Sequence, residues 1–290
     1  MIKIATTALH VEHDKEKNLE KYFKYIDEAA EQGVSLILFP ELSLQGFAQS
    51  MLTLNVADAL YANESAELVP QGPSTQKLLE KAQKSGLYIA WGMYEKDPER
   101  VDIIYNTLVF VGPEGFIGKY RKVHQPMTDM IYYTSGNEYP VFDTALGKIG
   151  LMICFDKVYP EVARILAIKG ADIILCPTCW PLGGEHKEED EQLVLLKTFA
   201  NARAWENQVF LVTANHVGKY GGGEECGHSR ITGPFVNDIK GDTLWDEGMA
   251  VAEVDVKAEI VRARNSAMGV NNLLKYRHTE TYSEILGRYI

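Results

Sequence analysis

The chain has 290 residues, 46% hydrophobic and 24% charged, which is ordinary globular composition. Its formal net charge of -11 makes nucleic acid and anionic membranes poor partners. No apolar run approaches the roughly 18 residues that span a bilayer, and the N-terminal stretch lacks the apolar core of a signal peptide, so the expected location is the cytoplasm.

Residues 2–9 read as a strand. Asp14 is placed to cap a helix running to about Gly33, with Leu19, Phe23, Ile26 and Ala30 spaced at three or four. Residues 34–40 form the next apolar strand, which ends on Glu41. Residues 42–73 are less regular and are expected over the mouth of a pocket. Ser74 is read as the cap of a helix to Gly86 that turns Leu78, Leu79 and Ala82 inward. Strands follow at 87–95 and 105–111, then a Gly112-Pro113-Glu114-Gly115 turn and a hairpin return. The return leads into Lys119-Tyr120-Arg121-Lys122, dense in cations.

Residues 140–143 and 148–154 continue the sheet. The second segment ends on Cys154-Phe155-Asp156, and Pro160-Glu161 then opens a helix that stops at Gly170. A buried strand at 173–176, a long helix over about 187–206 and a strand at 209–213 come next. A Gly-rich loop is expected at 218–227, then strands near 229–233, 236–238, 243–245 and 250–254. Alternating helices and apolar strands indicate an α/β layered fold. With no repeat or linker, residues 1–290 read as one domain.

Strand, short turn, helix is a geometry that exposes one nucleophilic atom. Cys154 sits at such a turn, although most cysteines in apolar strands are only buried core thiols. Glu41 and a lysine at the ends of other strands give it partners. A desolvated carboxylate can take the thiol proton, and an ammonium can stabilise the oxyanion formed by thiolate attack.

Phe39-Pro40-Glu41, Tyr120-Arg121-Lys122-Val123-His124 and Cys154-Phe155-Asp156 with Pro160-Glu161 resemble, in that order, the three signature blocks of the nitrilase (carbon–nitrogen hydrolase) superfamily. Lys169-Gly170-Ala171-Asp172, Arg203-Ala204-Trp205-Glu206-Asn207 and Gly227-His228-Ser229-Arg230 extend the resemblance to all but about the last twenty residues. It implies a four-layer αββα sandwich and a Glu-Lys-Cys site of Glu41, Lys122 and Cys154. It also implies the Phe155 N–H as second oxyanion donor, no metal or organic cofactor, and a thioester intermediate. Trp180 is either a pocket wall or a core aromatic. Segment 257–290, a helix and a Tyr-rich tail, is expected at a subunit interface of a homodimer or larger homo-oligomer.

One departure concerns a further family glutamate between the lysine and the cysteine. Asp129 stands at its distance from the Ser135-Gly136 turn, and Glu138 lies beyond that turn, so either is a candidate auxiliary acid. Nitrilases proper typically carry Trp and then Glu after the cysteine. Phe155 and Asp156 stand there instead, which favours hydrolysis of a small amide over a nitrile or an N-carbamoyl compound. A non-enzymatic reading is a zinc or redox module built from Cys176, Cys179, Cys226 and His228. Four cysteines in a chain this long fit a reducing compartment.

Overall fold

A computed structural model describes residues 1–47, 56–127, 129–184, 187–220, 223–265 and 272–287. Two mixed six-stranded sheets lie face to face. The first runs β14 (Gly248–Val254), β1 (Ile2–Ala8), β2 (Leu36–Leu38), β3 (Tyr88–Lys96), β4 (Ile104–Gly112), β5 (Gly115–Arg121). The second runs β13 (Ile239–Asp242), β12 (Arg230–Thr232), β9 (Phe210–Ala214), β8 (Ile173–Pro177), β7 (Gly147–Leu151), β6 (Val141–Thr144). Strands β1, β2 and β3 are parallel neighbours, as are β7, β8 and β9.

The alternation of side chains along each strand assigns the layers. Leu36, Leu38, Ala90, Leu108 and Phe110 of the first sheet belong to one core with Leu151, Leu175 and Val212 of the second. The intervening Ile37, Ile89, Trp91, Val109 and Val111 face outward and meet Leu19, Tyr22 and Ile26 of α1 (Lys15–Glu31) and Leu78 and Ala82 of α3 (Pro73–Ser85). On the far side, α5 (Pro160–Ile168) and α6 (Glu191–Asn207) contribute Val162, Leu166, Leu193, Leu196 and Ala200. The order helix, sheet, sheet, helix is the expected αββα sandwich. Each fully buried aliphatic side chain contributes about 1.5–3 kcal/mol, so the two sheet faces supply most of the stabilisation.

Several sequence expectations hold and several change. Asp14 caps α1, its side chain accepting from Lys17 N–H. Ser74 is not the cap of α3: Gly72 holds that position, Pro73 opens the helix, and the Ser74 hydroxyl donates to Glu67. Helix α6 starts at Glu191 because the Asp190 carboxylate accepts from Gln192 and Leu193 N–H; a 3-10 turn, Lys187–Glu189, precedes it. The expected loop at 218–227 is a hairpin of β10 (Val217–Tyr220) and β11 (Gly223–Cys226), with residues 221–222 outside the described ones. The strands expected at 236–238 and 243–245 are turns around β13, since Asn237 and Leu244 take left-handed backbone (φ 54° and 57°) that no extended strand accepts. Within the irregular 42–73 region, α2 (Val56–Ser65) is helical, while residues 48–55 lie outside the described ones. A short α4 covers Asp129–Tyr132, and among the described residues the last α-helix is α7 (Val256–Arg264), capped by Asp255, with two 3-10 turns after it. Of the tail, residues 266–271 and 288–290 are not described. No helix of the described residues is long and apolar enough to cross a membrane.

The parallel strands β2, β7, β8 and β9 all end at one rim, where α/β sheets place their ligands. The chain leaving β2 crosses tightly over β3 there. A Cβ at Gly92 would come within 2.3 Å of Leu42 N and 2.6 Å of Glu41 Cα. Gly92→Ala is therefore expected to lower the melting temperature by several degrees and displace Glu41, read by thermal unfolding and a crystal structure. Gly248→Ala, where a Cβ meets nothing within 4 Å, is the control. Equal melting temperatures for the two variants would show that this crossing has slack.

Candidate active site

Glu41 follows β2 and is buried. Its Oε1 accepts from Lys122 Nζ at 2.7 Å and from Asn106 Nδ2 at 2.7 Å, and its Oε2 accepts from the Cys179 N–H at 2.9 Å. His216 Nε2 lies 2.6 Å from the Glu41 carbonyl oxygen, so the backbone behind the carboxylate is held too. Lys122 is the first residue after β5, and its N–H pairs with the carbonyl of Asn106 on β4. Its ammonium, equally buried, also donates to Asp129 Oδ2 at 3.2 Å.

Cys154 begins a 3-10 turn, Cys154–Val158, in left-handed backbone (φ 45°). A non-glycine residue held there carries strain that its surroundings must impose. Asp156 imposes much of it. One carboxylate oxygen accepts from Ile153 N–H and the Tyr120 hydroxyl, and the other from His124 N–H. The cysteine turn is thus bolted to the segment that carries Lys122. The first hydrogen bond of the turn is Asp156 N–H to the Ile153 carbonyl, so the N–H groups of Cys154 and Phe155 precede it.

The charge states follow from burial and neighbours. Burial pushes the Glu41 carboxyl up, but Lys122 beside it, with hydrogen bonds from Lys122 and Asn106, holds it below the usual carboxylate range. Burial opposes the charge on Lys122, and Glu41 and Asp129 more than restore it, raising it well above an ordinary lysine. Burial, then the adjacent Glu41 charge, raises the Cys154 thiol, against the lowering pull of Lys157 and Lys122. The resting site is carboxylate, ammonium and neutral thiol.

These groups share a cavity of about 290 Å³. Glu41, Lys122, Asp129 and Cys154 form its polar floor, while Phe47, Phe155, Trp180, Pro181 and Leu182 form apolar walls. Trp180 is a wall and is also mostly buried, its Nε1 donating to the Gln192 carbonyl. Phe155 also lines the cavity. Glu138 does not: it is exposed, and of the two candidate acids only Asp129 reaches Lys122. The cationic neighbours Lys119 and Arg121 pair instead with Glu95.

The cysteine–histidine site is not formed. All four cysteines are free. Cys176 lies in β8, the Cys226 thiol meets the Trp180 carbonyl, and His228 Nδ1 lies 3.0 Å from Asp242. Among the described residues, no group of three or more His, Cys, Asp or Glu is arranged to hold a metal ion. The C-x-x-C spacing spans the end of β8, and strand geometry turns the two thiols to different surroundings.

Sequence reasoning did not single out Asn106, the Cys179 N–H or His216. The one signal for Asn106 is an amide within the apolar run of β4. A backbone N–H leaves no sequence signal.

Glu225 on β11 lies against the Cys179 side chain behind the cavity, and its Oε2 has no hydrogen-bond partner among the described residues. Burial pushes this carboxyl up from 4.5 to about 8. The folded chain therefore keeps this proton through neutrality, while the unfolded chain releases it near 4.5. The group has no adverse effect below that value, and it destabilises the fold progressively as pH rises towards about 8. Glu225→Gln is expected to melt several degrees above wild type at pH 8 and together with it at pH 4. A gain of equal size at both pH values would show that folding does not raise the Glu225 carboxyl.

The carbon–nitrogen hydrolase family model matches residues 3–263. A nitrilase of Pyrococcus abyssi is 35% identical over 97% of this chain and 99% of its own length. A human omega-amidase is 29% identical over 88% of this chain and 89% of its own. In fold, the carbon–nitrogen hydrolase of Helicobacter pylori G27 superimposes with a TM-score of 0.86 at 23% identity, covering 100% of this chain and 99% of that one. The chain is a member of the carbon–nitrogen hydrolase family.

Proposed function

We propose that the chain hydrolyses a small amide, with an apolar and uncharged acyl group, to carboxylate and ammonia or amine through a Cys154 thioester. The observation that carries this is the convergence of Glu41, Lys122 and Cys154 on the floor of one apolar-walled cavity. The substrate carbonyl carbon sits over the Cys154 thiol. As sulfur attacks, the thiol proton passes to Glu41, so thiolate and carboxylate never coexist unscreened. The carbonyl oxygen becomes an oxyanion held by the Lys122 ammonium and the Phe155 N–H. The protonated Glu41 gives its proton to the departing nitrogen, leaving the thioester. Glu41 then takes a proton from water, which attacks the thioester, and the thiol and carboxylic acid are released. Asp129 acts through Lys122, holding the ammonium towards the cavity.

The apolar walls support an uncharged acyl group, because among the described residues Phe47, Phe155, Trp180, Pro181 and Leu182 offer no charge to pair with a carboxylate, which would lose its hydration against them. The order Cys154-Phe155-Asp156 supports amide over nitrile or N-carbamoyl substrates. Within the same reading, the chain works as a single-domain cytoplasmic enzyme without a metal or organic cofactor, and as a homodimer or larger homo-oligomer with segment 257–290 at the interface. The exposed Tyr276 and Ile285 of that segment support the last point.

Cys154→Ala is expected to remain folded and release no ammonia from a panel of short aliphatic amides, nitriles and N-carbamoyl compounds. Lys122→Met should lose turnover by a factor on the order of a hundred or more, as removal of an oxyanion donor does. Wild type should turn over butyramide faster than butyronitrile or N-carbamoyl-β-alanine, and mass spectrometry should trap an acyl group on Cys154. Turnover by Cys154→Ala, or an acyl adduct on another residue, would remove the nucleophile assignment. A preference for nitrile or carbamoyl substrates would leave the nucleophile and change the substrate class.

A further inference from the structure

Lys157 has no role in the mechanism above, yet it is fully buried three residues after the cysteine. Its Nζ donates to the Cys154 carbonyl oxygen at 3.2 Å and lies 3.8 Å from the centroid of the Trp180 ring. Among the described residues no carboxylate pairs with it. The neighbouring Asp156 carboxylate is committed to Ile153, Tyr120 and His124. Burying an ammonium without a counter-ion is costly, and a carbonyl dipole and an aromatic face offset only part of that cost. Arg203 Nε binds the Lys157 carbonyl at 2.8 Å, which fixes the backbone from which the side chain reaches back.

The side chain therefore meets the site from behind. It holds the carbonyl of the one residue whose left-handed backbone presents the thiol, and it packs on the ring that forms a cavity wall. Among the described residues, the charged and titratable groups around the Cys154 thiol are Glu41, Lys122 and Asp129 on the cavity side, Cys179 beside it, and Lys157 and Cys176 behind.

We propose that Lys157 is a positioning residue for the hydrolysis: its ammonium ties the Cys154 peptide to the Trp180 ring and sets a second cation behind the nucleophile. The proposal rests on Cys154 being the nucleophile. It agrees with the lowering influence of Lys157 on the raised Cys154 thiol, an influence ahead of that of Lys122.

Lys157→Met keeps the length and apolar stem and removes the charge; Lys157→Gln retains a polar donor without charge. In both, kcat should fall roughly tenfold or more, a loss expected of a group that acts through positioning. The pH midpoint of Cys154 alkylation by iodoacetamide should rise by roughly half a unit or more, as loss of a nearby cation requires. KM should rise as the Trp180 wall loosens. A residue of stability alone would lower the melting temperature and leave the alkylation midpoint in place. Wild-type kcat and an unmoved midpoint in either folded variant overturn the proposal, as does failure of both variants to fold. Cys154→Ala measured alongside separates the two readings. Turnover in that variant unseats the nucleophile, whereas an inactive Cys154→Ala with wild-type kcat and an unmoved midpoint in Lys157→Met unseats Lys157 alone.

Discussion

The site depends on how the Glu41 carboxylate is shared. Oε1 serves the first sheet, accepting from Lys122 beyond β5 and Asn106 on β4. Oε2 serves the second, accepting the N–H of Cys179 beyond β8. One buried side chain thus joins the two sheets at the rim where their strands end. A carboxylate placed there without these donors would have to pick up a proton to stay buried. With them it remains charged, and its charge in turn keeps Lys122 charged. The base and the oxyanion-stabilising cation of the proposed reaction are therefore one electrostatic unit, and neither reaches its working state alone.

Asp156 does for the backbone what Glu41 does for the charges. It joins Ile153, just ahead of the strained cysteine, to Tyr120 and His124, which flank Lys122. Cys154 and Lys122 therefore keep their spacing even though they come from different sheets. Fixed geometry of this kind is what makes charge stabilisation effective, because the dipoles need no reorganisation as the reaction proceeds. The price is a cluster of buried charges that the apolar sheet interface must offset.

Much of this was legible in the sequence because the chemistry sits at strand ends. Glu41 and Cys154 each close an apolar run and Lys122 closes a hairpin return, so periodicity located the elements, while the resemblance to carbon–nitrogen hydrolases singled out Lys122 from Lys119 and Arg121. The choice between Asp129 and Glu138 was not legible. It depends on the chain doubling back, with Gly136 N–H on the Lys122 carbonyl, which brings Asp129 under the ammonium and leaves Glu138 outside. The hairpin at 217–226 was hidden by its glycines, whose composition signals a loop even where cross-strand pairing forms. Strand β13 falls between the two expected strands: Asn237 is a residue type that favours left-handed backbone and was passed over, whereas Leu244 carries no such signal. Contacts made by backbone groups, such as the Cys179 N–H, have no residue signature at all.

Lys122 and Lys157 are two buried lysines held in different ways. Lys122 faces the cavity and satisfies two carboxylates, so its charge follows from ion pairing across strand ends that the pattern locates. Lys157 satisfies a carbonyl and an aromatic ring, and both meet it only because the cysteine turn folds back under Trp180. Within the turn, Lys157 stands three residues after Cys154, and the 3-10 path returns its side chain to the carbonyl where that turn begins. A tighter or looser turn would aim the ammonium elsewhere. The strain at Cys154 and the burial of Lys157 are then two consequences of one backbone path. The left-handed start exposes the thiol on the cavity side, and the same path draws a cation in behind it.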